Sequence, residues 1–487
     1  MSAKLLLVIF GAITAPALTR LLGASSYGVY ATVIAVFSIT EILITSGVNS
    51  GAKKYLSESR EFPGWKSQVF AYYFRLGLFL SVIGASIFML VAASGLIDGV
   101  LGPEYRTYFY LIGAYLIALQ AREYVLRSLM GLQLERLSEP IRVCYEGLFA
   151  ALAIGLAWFG YGVTGVVSAH VIASLVGFAI GLYYVEKRLE LGAVVRSAAQ
   201  DFPRRELLTF NNESIVFIFL LTSLYHIDVL MATVFVPESQ IGFYKAALVL
   251  VGFLWLVPQS VQDVLIQSVS DHWRRNDLDE INRIASRTTR YILLFSTLLG
   301  IGLAALADPF VPLYFGAEFE PTILPLLILI PGTIGFAAAR PMLVITQAKG
   351  EVRPLIIATG IVAVGNVALN ALLIPRFGIL GAAVATTIGY SMLPVAQTAI
   401  AREMGYDPFR DVGFLRFALV CVLGSLAIGG LAAIVPGLFA LVVVPPLGAV
   451  LFVGICVLTG AIRRSEIERG LALLRSNRSL PAPSKDD

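Results

Sequence analysis

Cysteine, histidine and charge are all scarce in this chain, and each scarcity closes off a class of function. Its cysteines number three, too few for a disulfide framework. Cys144, Cys421 and Cys456 stand far apart inside apolar runs, where a thiol behaves as a small hydrophobe, so no metal site is implied. The histidines also number three and leave little general-base chemistry to distribute. The chain has no P-loop, no Gly-rich dinucleotide turn, no HExxH and no GxSxG. It is therefore read as no enzyme, with no cofactor. Without a phosphate-binding domain, any uphill work must draw on an ion gradient, the membrane potential or the downhill flow of the cargo.

Apolar sequence is what the chain has in abundance. Hydrophobic residues make up 57% and charged residues 14%, whereas a soluble domain is about one quarter charged. This is the composition of an all-α polytopic membrane protein. About 20 apolar residues carry a helix across roughly 30 Å of hydrocarbon. Such runs fall at 4-19, 28-48, 69-96, 107-130, 140-159, 163-186, 209-235, 240-262, 290-307, 323-346, 354-374, 379-400, 413-435 and 438-461, or about 14 transmembrane helices. The runs are continuous and do not alternate, which excludes a β-barrel; a helix alone satisfies its own backbone polar groups in lipid. The first run reads as a span and not as a cleaved leader, because no soluble domain follows it. Its shortness points to a chain start further upstream.

Basic residues mark alternate loops. Lys53, Lys54, Arg60 and Lys66 follow the second run, Arg136 the fourth, Lys187, Arg188, Arg196, Arg204 and Arg205 the sixth, and Arg274, Arg275, Arg283 and Arg287 the eighth, while the intervening loops hold little beyond Arg20, Arg106 and Arg376. This bias places both termini in the cytoplasm, and the membrane is expected to be the plasma membrane. It also accounts for the net charge of +4, so the basic loops are read as topology determinants and not as a nucleic-acid surface. The stretch from Asp263 to Arg290 carries charges at helical spacing. It is expected as an amphipathic helix along the inner surface, or as an ordinary solvated loop helix.

Short strings echo one another along the chain. Gly242-Phe243-Tyr244-Lys245-Ala246 answers Gly28-Val29-Tyr30-Ala31-Thr32, Gly316-Ala317-Glu318-Phe319 answers Gly102-Pro103-Glu104-Tyr105, and Gly378-Ile379-Leu380-Gly381 answers Gly162-Val163-Thr164-Gly165. The displacements are 214, 214 and 216 positions, and a shared displacement with order preserved is what an internal duplication leaves. The domains expected are an N-lobe of six spans (1-190), a C-lobe of six (206-405), a helix pair (410-462) and a cytoplasmic tail (463-487). Six being even, the lobes are parallel repeats with the pathway expected between them.

The residues from Arg20 to Tyr30, RLLGASSYGVY, resemble the signature after the first span of polysaccharide and lipid-linked oligosaccharide flippases of the MATE-like (multidrug/oligosaccharidyl-lipid/polysaccharide) exporter superfamily. Asp228 followed by Ile241 to Ala247, and Phe377 to Ala383, resemble its patterns at the seventh, eighth and twelfth spans. The resemblance implies a flippase that carries a polyprenyl phosphate or pyrophosphate-linked glycan between leaflets. It further implies membrane lipids and a glycan polymerase or ligase as partners, no nucleic acid, and a monomer. Two other functions stand beside this one: an ion-coupled exporter of cationic drugs, and a non-transporting scaffold of a glycan-assembly complex.

Such a cargo calls for cations facing a wet cavity, and arginine suits phosphate because its fork binds two oxygens and never deprotonates. Charge inside a bilayer is costly and usually faces a bundle interior or cavity. The candidates for cargo contact are Arg20, Arg75, Arg122 and Arg340, internal pairing being the alternative for each: Glu123 or Glu146 for Arg122, Glu41 for Arg75. Arg127, Arg142 and Arg290 lie near enough to the interface to snorkel. Glu41 and Asp228 are candidates for coupling to Na⁺ or H⁺, with structural pairing or capping as the alternative. His170 is expected to hydrogen-bond a neighbouring helix, as are Asn366 and Asn370. Tyr27, Tyr30 and Tyr244 read as aromatic-belt residues or as platforms for sugars. Gly302, Gly332, Gly335, Gly360 and Gly365 suit either close packing or bending.

Overall fold

The computed structural model describes residues 3–196, 201–209, 212–435, 437–463 and 466, and among these there is helix but no strand. In chain order the helices are α1 (Ala3–Ser57), α2 (Trp65–Ser94), α3 (Tyr105–Gly131), α4 (Glu135–Trp158), α5 (Gly162–Glu186), α6 (Arg204–Thr209), α7 (Asn212–Ala232), α8 (Glu238–Gly252), α9 (Leu256–Arg274), α10 (Leu278–Ala305), α11 (Ala307–Phe315), α12 (Ile323–Lys349), α13 (Arg353–Glu403), α14 (Phe414–Ile434) and α15 (Ala440–Leu458). Among the described residues, 11 helical stretches are long and apolar enough to cross a membrane. The protein is all-α and polytopic.

Two of the 11 cover two apolar runs each. The backbone of α1 breaks at Gly23 (φ 73°, ψ 173°) and that of α13 at Gly378 (φ 58°, ψ −137°), conformations that only a residue without Cβ takes up without strain. In α1 the break is a single residue, with helix resuming at once. The 27 residues of α3 span the run 107-130 but are not apolar enough to count among the 11.

The stretch from Asp263 to Arg290 is not one helix. Its first part ends α9 and its last part begins α10, with Arg275, Asn276 and Asp277 as the turn. Asn276 takes the left-handed conformation (φ 54°), and Asp277 caps α10 by accepting from the Glu280 amide at 3.2 Å. The helical spacing of charge was a sound sign of helix. It marks the end of one helix and the start of the next.

The chain divides into two compact units. The first comprises Met1–Leu250, Val311–Leu329 and Glu351–Gly389, and the second Val251–Phe310, Ile330–Gly350 and Tyr390–Asp487. In the first, Tyr55, Trp65, Phe70, Tyr73 and Tyr124 form an aromatic core among α1, α2 and α3. Its buried phenols are satisfied: Tyr124 donates to the Phe70 carbonyl at 2.6 Å and Tyr73 to the Leu207 carbonyl at 2.9 Å. Asn366 in α13 donates to the Ala385 carbonyl beyond the Gly378 break, and Asn370 donates to Asn366, both at 3.1 Å. The two asparagines thus tie the limbs of α13 together.

In the second unit α14 and α15 pack on each other and on α10 through Leu294, Val420, Ile428, Val444 and Phe452. Leu426, Val442 and Val450 stay exposed, as helices facing lipid require. Buried Arg290 of α10 pairs with Glu466 at 2.5 Å, so it does not snorkel. The rest of the expected tail, from residue 467 on, lies outside the described residues. Of the glycines named above, Gly335 packs against the Ser391 backbone, whereas a methyl at Gly302 or Gly365 would meet open space. Close packing therefore explains only the first of these three.

Candidate functional site: a polar cavity in the first unit

The second limb of α1, residues 24–57, repeats polar residues every three to four positions: Glu41, Thr45, Ser46, Asn49, Ser50, Lys53, Lys54 and Ser57. That spacing puts them on one helical face. The opposite face carries Val48, Ala52, Tyr55 and Leu56 into the aromatic core, which turns the polar face away from that core. It lines a cavity of about 850 Å³. Across from it stand Leu119, Glu123, Arg127 and Met130 of α3, with Gln133, Glu135 and Ile218 completing the wall. A smaller neighbouring pocket of about 170 Å³ shares Glu123, Arg127 and Met130 and adds Ser138, Glu139 and Arg142.

Second-layer contacts hold the lining in place. Thr45 donates to Glu41 at 2.6 Å. Asn49 and Gln120 exchange bonds at 3.4 Å across α1 and α3. Glu123 is held by Arg122 at 3.0 Å and Arg127 at 3.6 Å. Arg122 itself is buried, with its guanidinium 3.4 Å from the Tyr145 ring centroid and Ser174 accepting at 3.4 Å. Arg122→Ala is expected to lower stability by about 1–3 kcal/mol, the range for a partly exposed pair whose surviving carboxylate can still reach cavity water. Arg122→Lys should rescue little, since an ammonium lacks the planar fork and the stacking face. Thermal unfolding in detergent checks both.

The structure does not bring the four expected arginines together. Arg20 is exposed and donates to the Leu313 carbonyl. Arg75 donates to the carbonyls of Val194 (3.3 Å) and Arg196 (2.5 Å); it does not pair with Glu41, whose hydroxyl partner is Thr45. Arg340, in the second unit, donates to Gln262 at 3.1 Å and lies against Trp255 and Phe336. Arg122 and Arg340 are thus each buried against aromatic rings, the one in the first unit and the other in the second. The cations that line the cavity are Lys53, Lys54 and Arg127. Lys53 and Lys54 pass for loop charges in the sequence, and the signal that finds them is the polar face leading up to them.

Asp228 is fully buried in the first unit. It accepts from Tyr244 (2.5 Å), Thr386 (2.9 Å) and the Val229 amide (2.7 Å). Tyr244 and Tyr27 are buried as well, and Tyr30 bonds His170 at 3.0 Å, so none of the three stands in an aromatic belt. His170 also bonds Tyr145 at 3.0 Å and stacks on Phe149, which is the helix-linking role expected of it.

The glycines of two echoing strings meet. A methyl on Gly28 would overlap the Glu238 carbonyl oxygen, and one on Gly242 the Ala24 carbonyl oxygen. The start of the second limb of α1 and the helix α8 therefore cross backbone to backbone, within the first unit, at the two positions the echoing strings pair. Around this crossing the Ala24 amide donates to Glu318 at 3.2 Å, and Tyr27 and Phe243 both pack edge-on to Phe319. The motif that resembles a family signature is thus a packing joint.

A family model described as "Polysaccharide biosynthesis protein" matches residues 17–324, and one described as "Lipid II flippase MurJ" matches 216–449. A curated relative from Haloferax volcanii, the "Probable low-salt glycan biosynthesis flippase Agl15", is 26% identical over 383 residues, covering 77% of this chain and 76% of that protein. Among solved structures, the fold is similar to a lipid II flippase MurJ in an inward closed conformation, with TM-score 0.74, 15% identity and coverage of 93% and 96% of the two chains. It is similar as well to an inward-facing MATE family multidrug resistance transporter of the MOP superfamily, with TM-score 0.64, 14% identity and coverage of 83% and 95%.

Proposed function

The chain belongs to the polysaccharide biosynthesis protein family, and from that premise we propose that it is a flippase of the MOP superfamily that moves a lipid-linked glycan across the membrane. It works as a transporter and makes no covalent change to its cargo. The observation that carries this reading is the polar cavity: hydroxyls, amides, carboxylates and three cations gathered inside a unit whose outer surface is apolar. A polyprenyl phosphate or pyrophosphate needs that division, with a wet path for its charged head and lipid for its tail. Lys53, Lys54 and Arg127 receive the phosphate, and Arg122 holds Glu123 aside so that Arg127 is not fully neutralised. Arg340 is the corresponding buried cation of the second unit, while Arg20 and Arg75 serve carbonyls at helix and turn ends.

Counting each limb of α1 and α13 separately and adding α3 gives 14 crossings, with both termini cytoplasmic in the plasma membrane, two six-helix lobes at 1-190 and 206-405, and alternating access between leaflets. The transporter acts as a monomer beside a glycan polymerase or ligase. Asp228 is its candidate ion-coupling carboxylate, because Tyr244 and Thr386 can turn their hydroxyls either to the anion or to a bound proton's carboxyl. The drug-exporter alternative wants a cavity dominated by carboxylates; this one has Glu41, Glu123 and Glu135 facing an equal number of cations.

In proteoliposomes carrying a fluorescent polyprenyl pyrophosphate disaccharide, Lys53→Ala/Lys54→Ala/Arg127→Ala is expected to cut translocation by at least about tenfold, the loss for removing charge-assisted bonds to phosphate. The folded fraction by size exclusion should not change, since two of the three side chains are exposed. Translocation at the wild-type rate would refute the assignment.

A further inference from the structure

The α1 face of the cavity is sorted by chemistry along its length, while Glu123, Arg127 and Glu135 belong to the other walls. At one end of the polar face on α1 stands a carboxylate, Glu41; in the middle come hydroxyls and an amide, Thr45, Ser46, Asn49 and Ser50; at the other end come Lys53 and Lys54. From Glu41 to Lys53 the helix rises about 18 Å. An ammonium can only donate hydrogen bonds and an ionised carboxylate can only accept, whereas hydroxyls and amides do both. Phosphate oxygens accept only, and sugar hydroxyls donate and accept. The cationic end therefore matches a phosphate, and the remainder matches sugar. Among the described residues no aromatic ring lines the cavity, so sugars there are held by hydrogen bonds and not by stacking.

Resting on the flippase reading above, we propose that this polar face is a sugar gauge. It lays the cargo in one direction, phosphate at Lys53 and Lys54 and glycan toward Thr45 and Glu41, and it discriminates against carrier lipid that bears no glycan. The discrimination follows from what an empty gauge leaves behind. Thr45 and Asn49 are 2% and 7% exposed, Thr45 already orients Glu41, and Asn49 is braced by Gln120, so their free valences are fixed in place. A site built to hydrogen-bond a hydroxyl rejects the analogue that lacks it far more strongly than an apolar pocket rejects a missing methylene. A carrier recycled without its sugars is thereby kept from futile transport.

The test compares two probes in proteoliposomes, a polyprenyl phosphate and the same lipid bearing a pyrophosphate-linked disaccharide. Wild-type protein is expected to move the glycosylated probe at least about tenfold faster. Thr45→Val/Asn49→Leu should erase most of that ratio by slowing the glycosylated probe while leaving the bare one where it was. Ser46→Ala/Ser50→Ala, at half-exposed positions that tolerate the change, should do the same to a smaller extent and stands in should the first variant fail to fold. A wild-type ratio near one, or variants that slow both probes equally, overturns the gauge while leaving the flippase reading intact. Movement of neither probe by folded wild-type protein overturns both.

Discussion

Gly28→Ala, and separately Gly242→Ala, should each cost the protein most of its folded yield. The added methyl at either position has no flexible side chain to push aside, because what it meets is a backbone carbonyl on the partner helix, Glu238 in one case and Ala24 in the other. Overpacking a well-fitted core costs about 1–3 kcal/mol when side chains can yield, and the cost runs higher where the backbone must separate. The separation would also disturb what surrounds the crossing: the Ala24 amide on Glu318, and Tyr27 and Phe243 on Phe319. Monodisperse yield and the melting temperature in detergent report the loss. Gly302→Ala and Gly365→Ala are the controls. Both lie in helices with open space around the new methyl, and alanine there should be neutral or stabilising by about 0.5–1 kcal/mol. A Gly28→Ala protein that melts with wild type would mean that the helices do not cross this closely.

The second large effect belongs to Asp228. Asp228→Ala takes the shared acceptor from Tyr244 and Thr386, deep in the first unit, and leaves the pair their mutual contact at 3.2 Å. Breaking a buried hydrogen-bond network around a carboxyl group costs about 3–5 kcal/mol. Loss of stable protein is the expected outcome. Asp228→Asn separates structure from coupling. The amide keeps the shape, still accepts from Val229, and can donate to the Tyr244 oxygen, so the melting temperature should fall only slightly. As it cannot take up a proton or a cation's charge, transport by Asp228→Asn should stop responding to an imposed Na⁺ or H⁺ gradient. An undiminished response would leave Asp228 a purely structural acid.

How far each part of this could be read from the chain depends on how local its cause is. Apolar runs of about 20 residues announce helices that cross lipid whatever they pack against, because the backbone must satisfy itself there. For the same reason Asn366 and Asn370, one turn apart in an apolar helix, could be assigned a bridging role before their partners were known. Between Asp263 and Arg290 the charge spacing announces helix but not the turn at Arg275, Asn276 and Asp277 that divides it between α9 and α10.

The site was harder to read. Arg75 and Glu41 looked like partners because both are charged and lie in neighbouring apolar runs, yet Arg75 answers carbonyls of the turn at Leu191–Val194 and Glu41 answers a threonine on its own helix. Lys53 and Lys54 looked like loop charges because they follow an apolar run, yet α1 continues through them and turns them toward the cavity. The sequence by itself determined the class of protein, the course of its helices, the scarcity of chemistry for catalysis and the pairing of Gly28 with Gly242 by their common displacement. Only the tertiary structure decided that those glycines touch, which arginines are spoken for, and that the cavity's cations are two lysines and Arg127. Crossing a membrane is dictated by each segment's own free energy of transfer, whereas the direction a side chain faces depends on which helix lies beside it, and that neighbour comes from hundreds of residues away.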